Sequence, residues 1–426
     1  MSGKSPPAYL SSEADNALLD AVQRQTLSYF WDFAHPVSAM ARERSNPVPG
    51  YDYLDTVCSG GTGFGIMAML AGGARGFLPR SAVLDRVMCI VEFLGRAQRF
   101  HGVFPHFIHG ATGSAIAFSE KDDGGDLVET SFLMVGLLCA RQYFSGNALC
   151  EQALRNAVEA LWLAVDWQWH ARGRGAALYW HWSPRHGWDM EHPIQGWNEC
   201  LITYVLAASS PTYPIPGEAY HQGWAGGAHF CNRQSYYGVE LPLGPPYGGP
   251  LFFSHYSFLG LDPRGLRDRY ADYWRQNCAH TLINRAHCIA NLDGFPGYGP
   301  DCWGLTACDG DAGYGAFSPT NDRGVIAPTA ALSAMPYTPA QSMSALRHFY
   351  EVLGNKIWGR YGFSDSFNLA RHWVAAGNLA IDQGPIVIMI ENFRSGLLWD
   401  LFMSCGEIAE GLRRLGFTLH RPLANY

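Results

Sequence analysis

Apolar residues recur at helical spacing in block after block of this chain, and long connections rich in Gly, Pro, Tyr and His separate the blocks. Segments of that kind form helices that bury their apolar faces against one another. Leu18, Leu19, Val22, Leu27 and Phe30 predict a helix over 16–33. Phe64 to Leu70 predicts a second, entered through a glycine-rich turn at 59–63, and Ser81 reads as the cap of a third. Further helices are expected near 127–144, 149–168, 195–208, 266–288, 340–353 and 387–416. Two short alternating stretches, 103–108 and 177–182, read as strands or hairpin arms. The connections 35–60, 102–125, 210–254 and 291–328 are longer than packing needs, which marks them as functional.

With 426 residues, 48% of them hydrophobic and only 16% charged, much of the chain must be buried. No linker-like tract or composition shift divides it. The expectation is one all-α domain over 1–426, with helices in pairs closing into a ring and loops gathered at one end.

The net charge of -7 and the lack of a basic patch argue against a nucleic-acid partner. No apolar run approaches the roughly 18 residues that cross a bilayer, so no membrane partner is expected. The polar start, 1–16, has no apolar leader core. That implies a cytoplasmic protein if the chain is complete, or an exported one if a signal has been removed. The eleven cysteines are scattered without paired spacing, so neither a disulfide framework nor a structural metal is expected. Oligomeric state is not encoded in any pattern here.

Chemistry concentrates in a few places. Asp122, Asp123, Asp126 and Glu129 crowd two helical turns, split by Gly124-Gly125, at the mouth of an apolar helix. Asp126 with Glu129 three residues on also fits a capping box. A cap needs neither Asp122 nor Asp123, and a capping loop can present carboxylates at a pocket rim. Glu199, in Trp197-Asn198-Glu199-Cys200, either is half-buried with a raised pKa, as a general acid requires, or simply sits at a helix start. His255, in Ser254-His255-Tyr256, is either a sugar-hydroxyl partner or a satisfied core histidine. Trp303 and Asp309 lie on a glycine-rich loop, and Asp382 lies in Ala380-Ile381-Asp382-Gln383-Gly384-Pro385. Glu391 and Arg394 are spaced for a salt bridge within a helix. Fourteen Trp and 21 Tyr are more than a core of this size needs. Rings with polar tips suit sugar faces, although core packing accounts for about half of them.

No nucleotide-binding, zinc-peptidase or serine-hydrolase motif occurs in a usable context. Paired carboxylates with aromatics and no metal cage fit glycoside hydrolysis. One acid protonates the leaving oxygen, and a second carboxylate activates water or attacks the anomeric carbon.

Five motifs, Asp123 to Thr130, Gly196 to Glu199, Pro250 to Gly260, Trp303 to Ala307 and Ala380 to Pro385, resemble the bacterial glucoamylase-like family. That family includes the β-1,2-glucanases of glycoside hydrolase family 144, and it is similar to the C-terminal glycosidase domain of cyclic β-1,2-glucan synthases. The resemblance runs from about 20 to 415. It implies an (α/α)6 toroid, hydrolysis of β-1,2-linked glucan or its oligosaccharides, usually with inversion, and no cofactor. It implies Asp122, Asp126 and Glu199, with Glu129, as the acidic catalytic set. On this reading Glu199 is the general acid, and Trp182, Trp188, Trp197, Tyr256 and Trp303 stack on pyranose faces. His255, Asp309 and Asp382 bind sugar hydroxyls. Exo action with release of a disaccharide, or transglycosylation, is the alternative on the same scaffold. Most such enzymes are exported, to the periplasm or beyond the cell.

Overall fold

The computed structural model describes residues 12–50, 52–173, 176–228 and 230–419. It is predominantly helical, with strands of two to six residues. One hydrophobic cluster runs from Leu19 to Phe417 and holds most of the buried apolar side chains.

The helices are of two kinds. Ser59–Ala74, Leu127–Tyr143, Leu201–Ser209, Pro328–Ser333 and Ala380–Arg394 are buried along nearly their whole length. Glu13–Asp32, Arg80–Arg96, Leu149–Leu163, Pro339–Arg347 and Gly406–Arg414 bury one face only. An all-round apolar helix belongs inside, and an amphipathic one lies against it with its polar face outward. Ser59–Ala74 packs on Leu127–Tyr143 and on Ala380–Arg394, and Glu13–Asp32 covers Ala380–Arg394.

The contact between the first two of these is unusually close. A methyl group added at Gly63 would lie 2.1 Å from the Phe132 carbonyl oxygen, and one at Gly136 would lie 2.3 Å from the Gly63 carbonyl oxygen. Only bare backbone fits on both sides. This explains a departure from the sequence-based expectation, because 59–63 is not a turn but the opening of the helix itself. Glycine is a poor helix former, and tertiary packing overrides that preference here.

Other boundaries shift for local reasons. Pro79, not Ser81, caps the third helix, and Pro339 opens the helix expected near 340. The segment expected as 266–288 begins at Tyr273, capped by Asp272, whose side chain accepts from Arg275 N. The long run expected from 387 begins at Ala380 and breaks into three helices, ending at Arg394, Met403 and Arg414. Glu391 does not pair with Arg394. It pairs with Arg75 at 2.7 Å, and Arg394 pairs with Asp20 at 2.6 Å. The loop 210–254 contains an antiparallel hairpin, Cys231–Tyr236 with Val239–Leu243, which the sequence pattern did not reveal.

The described cysteines are all free, and no helix among the described residues is long and apolar enough to cross a membrane. The Gly63 contact yields a testable expectation. Gly63→Ala should destabilise the fold by about 1–3 kcal/mol, the usual range for overpacking, read as a lower denaturant midpoint. An unchanged midpoint would mean that the two helices can separate without cost.

Candidate active site

The N-terminal ends of four of the five buried helices, all but Pro328–Ser333, converge on one cavity of about 550 Å³. Its wall takes Cys58 from the cap of Ser59–Ala74, Glu129 from the first turn of Leu127–Tyr143, and Glu199 from just before Leu201–Ser209. Leu379 and Ile381 come from the start of Ala380–Arg394. Helix N-termini carry partial positive charge and unpaired N–H groups, so acidic side chains are stabilised there.

Asp126 is fully enclosed and accepts from several donors at once. One oxygen, Oδ1, takes the Val128 N–H at 3.0 Å and the Glu129 N–H at 2.9 Å, which caps the helix. The other, Oδ2, lies 3.1 Å from His106 Nδ1 and 3.8 Å from His181 Nδ1. Burial alone would raise the Asp126 pKa, but the His106 hydrogen bond and the His181 charge hold it below the usual range. Asp122, also buried, sits 3.2 Å from His181 Nδ1, an ion-pair contact whose angle falls short of a hydrogen bond. Asp123 turns away to Ser183 and Arg185, each at 2.5 Å.

The capping box is half realised. Asp126 caps the helix, but its own N–H goes to Phe104 O at 2.9 Å rather than to Glu129. Glu129 instead crosses to the neighbouring helix and accepts the Gly60 N–H at 2.7 Å. A methyl group at Gly60 would lie 2.6 Å from Glu129 Oε2, so it would displace the carboxylate from this position. Burial, with the Asp126 charge adding to it, raises the Glu129 pKa against the opposing pull of His106.

Glu199 is held through its backbone. The Ser257 hydroxyl donates to the Glu199 carbonyl oxygen and accepts from Ile202 N at 3.0 Å, while Asn198 Oδ1 accepts from Cys200 N at 2.9 Å. Burial, helped by the Glu129 and Asp126 charges, pushes the Glu199 carboxyl up to about 7. It faces the cavity as an acid that is still protonated near neutrality, which suits a proton donor.

A second acidic group meets the cavity through Glu43 and Arg44, while Asp309 and Asp382, expected to bind sugar, lie behind them and do not line it. Arg44 ties Glu43, at 2.8 Å, to Asp309, at 3.2 Å, and the Asp309 N–H donates to Asp365 at 2.7 Å. Asp365 and Asp382 are buried together; burial with the Asp309 charge raises Asp365 to about 7, and burial with the Asp365 charge holds Asp382 well above the usual carboxylate range. Asp382 Oδ2 has no hydrogen-bond partner among the described residues.

The aromatic expectations divide. Tyr256 lines the cavity. Trp197 and Trp303 do not, because both rings are enclosed in the core and Trp197 stacks on Tyr273 at 5.8 Å. His255 is likewise a core residue, and burial pushes its imidazole down to about 3. Trp182 packs against Phe100 and His101, and Trp188 lines a separate outer groove. The cavity instead takes Trp180, Phe107, Phe118, Phe132, Phe252 and Tyr314, with Glu43, Arg44, Pro49 and Gly50 from the 35–60 loop. The 210–254 loop gives it no residue up to 251. The alternation of small, polar and aromatic residues in 103–108 was the one available hint of His106.

His106, Asp122 and Asp126 place ligand-type atoms within 4.8 Å of one another. The electrostatics favour another use of them. Burial lowers the His106 pKa, but the charges of Glu129, Asp126 and Asp122 outweigh it and push the ring up to about 9. At neutral pH, with no metal bound, it is an imidazolium whose Nδ1–H donates to Asp126.

A stability prediction follows with a defined sign. A histidine whose pKa rises on folding, from 6.5 to about 9, stabilises fully below pH 6.5 and loses that contribution as pH climbs through 9. Melting temperature should therefore fall between pH 6.5 and 9, and His106→Gln should flatten that fall. An identical slope in the variant would show that His106 is not charged in the fold.

Comparison with known proteins identifies the family. The family model described as "Putative glucoamylase" matches residues 191–406. A crystal structure of that description from Bacteroides uniformis ATCC 8492 is 54% identical, with TM-score 0.93, covering 96% of this chain and 99% of that one. The endo-β-1,2-glucanase of Chitinophaga pinensis, in complex with sophorotriose and glucose, is 52% identical, with TM-score 0.93, covering 96% and 99%. The exo β-1,2-glucooligosaccharide sophorohydrolase (non-reducing end) of Parabacteroides distasonis is 44% identical over 422 residues, 94% of this chain. The chain spans 58% of that relative's length. The chain belongs to the glucoamylase-like family, of the glycoside hydrolase family 144 type, that its five motifs resemble.

Proposed function

We propose that the chain is a glycoside hydrolase that cleaves β-1,2-glucosidic bonds in β-1,2-glucan or its oligosaccharides, with inversion. The observation that carries this reading is Glu199, a carboxyl raised to about 7 on the wall of an aromatic-lined cavity. The linkage rests on the relatives, two of which are described as acting on β-1,2-glucan or its oligosaccharides.

In this mechanism Glu199 protonates the glycosidic oxygen as the bond breaks. Glu129 is the second carboxylate of the same wall and acts on the attacking water or on the sugar hydroxyl that relays its proton. Asp126 has both oxygens engaged, so it works by position: it fixes the start of the helix that carries Glu129 and it charges His106. Asp122 does the same for His181. Asp309 and Asp382 belong to the acidic group behind Glu43 and Arg44, and Asp309 acts on the sugar through Arg44, which it holds at 3.2 Å. Trp180, Phe118, Tyr256 and Tyr314 offer the sugar-facing rings.

We also read the fold as a single (α/α)6 toroid. Five helices buried all round form its inner ring, and the 3-10 segment Leu251–Leu259, itself largely buried, takes the sixth inner place. The N-terminal ends of all of these but Pro328–Ser333 then supply the cavity's lining.

A second reading, release of a disaccharide from a chain end or transfer to another sugar, is favoured by the 35–60 loop, which puts Glu43, Arg44, Pro49 and Gly50 into the cavity wall. Product chromatography separates these outcomes: a ladder means endo action, one small product means exo action, and lengthened products mean transfer. The test of the main reading is a reducing-end assay on β-1,2-, β-1,3-, β-1,4- and α-1,4-glucans. Cleavage of the β-1,2 polymer alone is expected, and Glu199→Gln should lower kcat by about 10²–10⁴ while the fold is retained. Full activity in Glu199→Gln would remove it from the mechanism, and activity on another linkage only would overturn the substrate.

A further inference from the structure

Outside the cavity, an outer groove of about 600 Å³ is lined by Asp166, Gln168, Trp169, Arg172, Trp188 and Tyr213, with Gly173 at its edge. The proposed mechanism uses none of them. Trp169 is 37% exposed and Tyr213 is 38% exposed, unusual for rings of this size. Trp169 is held flat by His101, stacked at 3.8 Å and 13°. Trp188 lies 6.3 Å from it, tilted by 38°. Arg172 stacks over Tyr179 and Trp188 and is paired with Glu191 at 3.0 Å, so its charge is answered within the protein. Asp166 is engaged by the Trp169 N–H at 2.9 Å, and Gln168 donates to Pro214 O at 2.9 Å. The groove therefore offers fixed rings and hydrogen-bonding groups, with the charges of Asp166 and Arg172 both engaged by the protein. Those are features that bind a neutral polyhydroxyl chain, not an ion or a nucleic acid.

The groove is separate from the cavity, but its rings touch the strand pair that carries Asp126. Trp169 contacts Trp182 at 6.1 Å. Trp182 pairs with Gly125, and its neighbour His181 pairs with Asp126, in the two-residue ladder behind the acidic cluster. A chain lying across the groove lies beside the strand pair that carries Asp126 and His181.

We propose that this groove is a second glucan-binding site, which holds a remote part of the polymer that is cut in the cavity. The identity of the glucan rests on the reading under Proposed function, whereas the groove's chemistry does not. Holding two parts of one chain raises the local concentration of the second.

The test is affinity electrophoresis of Glu199→Gln protein in gels containing each of the four glucans, with and without Trp169→Ala or Tyr213→Ala. Tyr213 stands at the groove's edge, so its replacement leaves the fold intact even where loss of the Trp169–His101 stack does not. Retardation in the β-1,2-glucan gel is expected to weaken about tenfold in apparent affinity with either substitution. In otherwise wild-type protein, kcat/KM on polymer relative to that on a short oligosaccharide should fall by a similar factor. Retardation by a different glucan, sensitive to both substitutions, would keep the groove and remove the β-1,2 reading. Retardation indifferent to both substitutions, or none in any gel, would overturn the groove.

Discussion

Two buried helices touch backbone to backbone at Gly63 and Gly136, and the geometry of the cavity depends on that contact. It brings the first turn of Ser59–Ala74 against the first turn of Leu127–Tyr143, which lets the Gly60 N–H reach Glu129 at 2.7 Å. Side chains on either face would push the helices apart, and the carboxylate would lose its donor. The same approach brings helix N-termini together at the floor of one cavity, where their partial positive charges offset the cost of burying acids.

That offset is uneven, and the unevenness sorts the acids into roles. Asp126 receives two backbone N–H groups and an imidazolium, so it stays charged and fixed. Glu129 has one N–H donor and two neighbouring negative charges, and Glu199 has little beyond its helix start, so both are pushed toward neutrality. Like charges in a dry site cannot all ionise at once. A site that must hold a proton at neutral pH and deliver it to a bond oxygen needs this gradient from charged support to neutral acid.

Part of this was legible in the chain itself. The Asp126 cap, the apolar helix behind it and the placement of Glu199 before Leu201–Ser209 follow from residue types at fixed spacing. The glycines at 59–63 were misleading because propensity is local, whereas the reason for them is a helix 70 residues away. Trp197 and Trp303 show a second limit. A tryptophan's ring and polar tip suit a sugar and a core equally, and only the surrounding chain decides which it meets. Trp180 and Trp182 sit two apart, yet one lines the cavity and the other the outer hairpin, since the strand between them is too short to impose alternation. Glu43, Arg44 and Tyr314 reach the cavity from loops with no pattern to read.

The central claim is that Glu199 delivers a proton from a carboxyl raised to about 7. The direct measurement is the pH dependence of kcat/KM on β-1,2-glucan. An acid that must be protonated to act loses activity as pH rises past its pKa, so kcat/KM should fall through an apparent pKa near 7, and the residual activity of Glu199→Gln should lack that limb. A profile flat from pH 6 to 9, or the same limb retained in Glu199→Gln, would contradict the account.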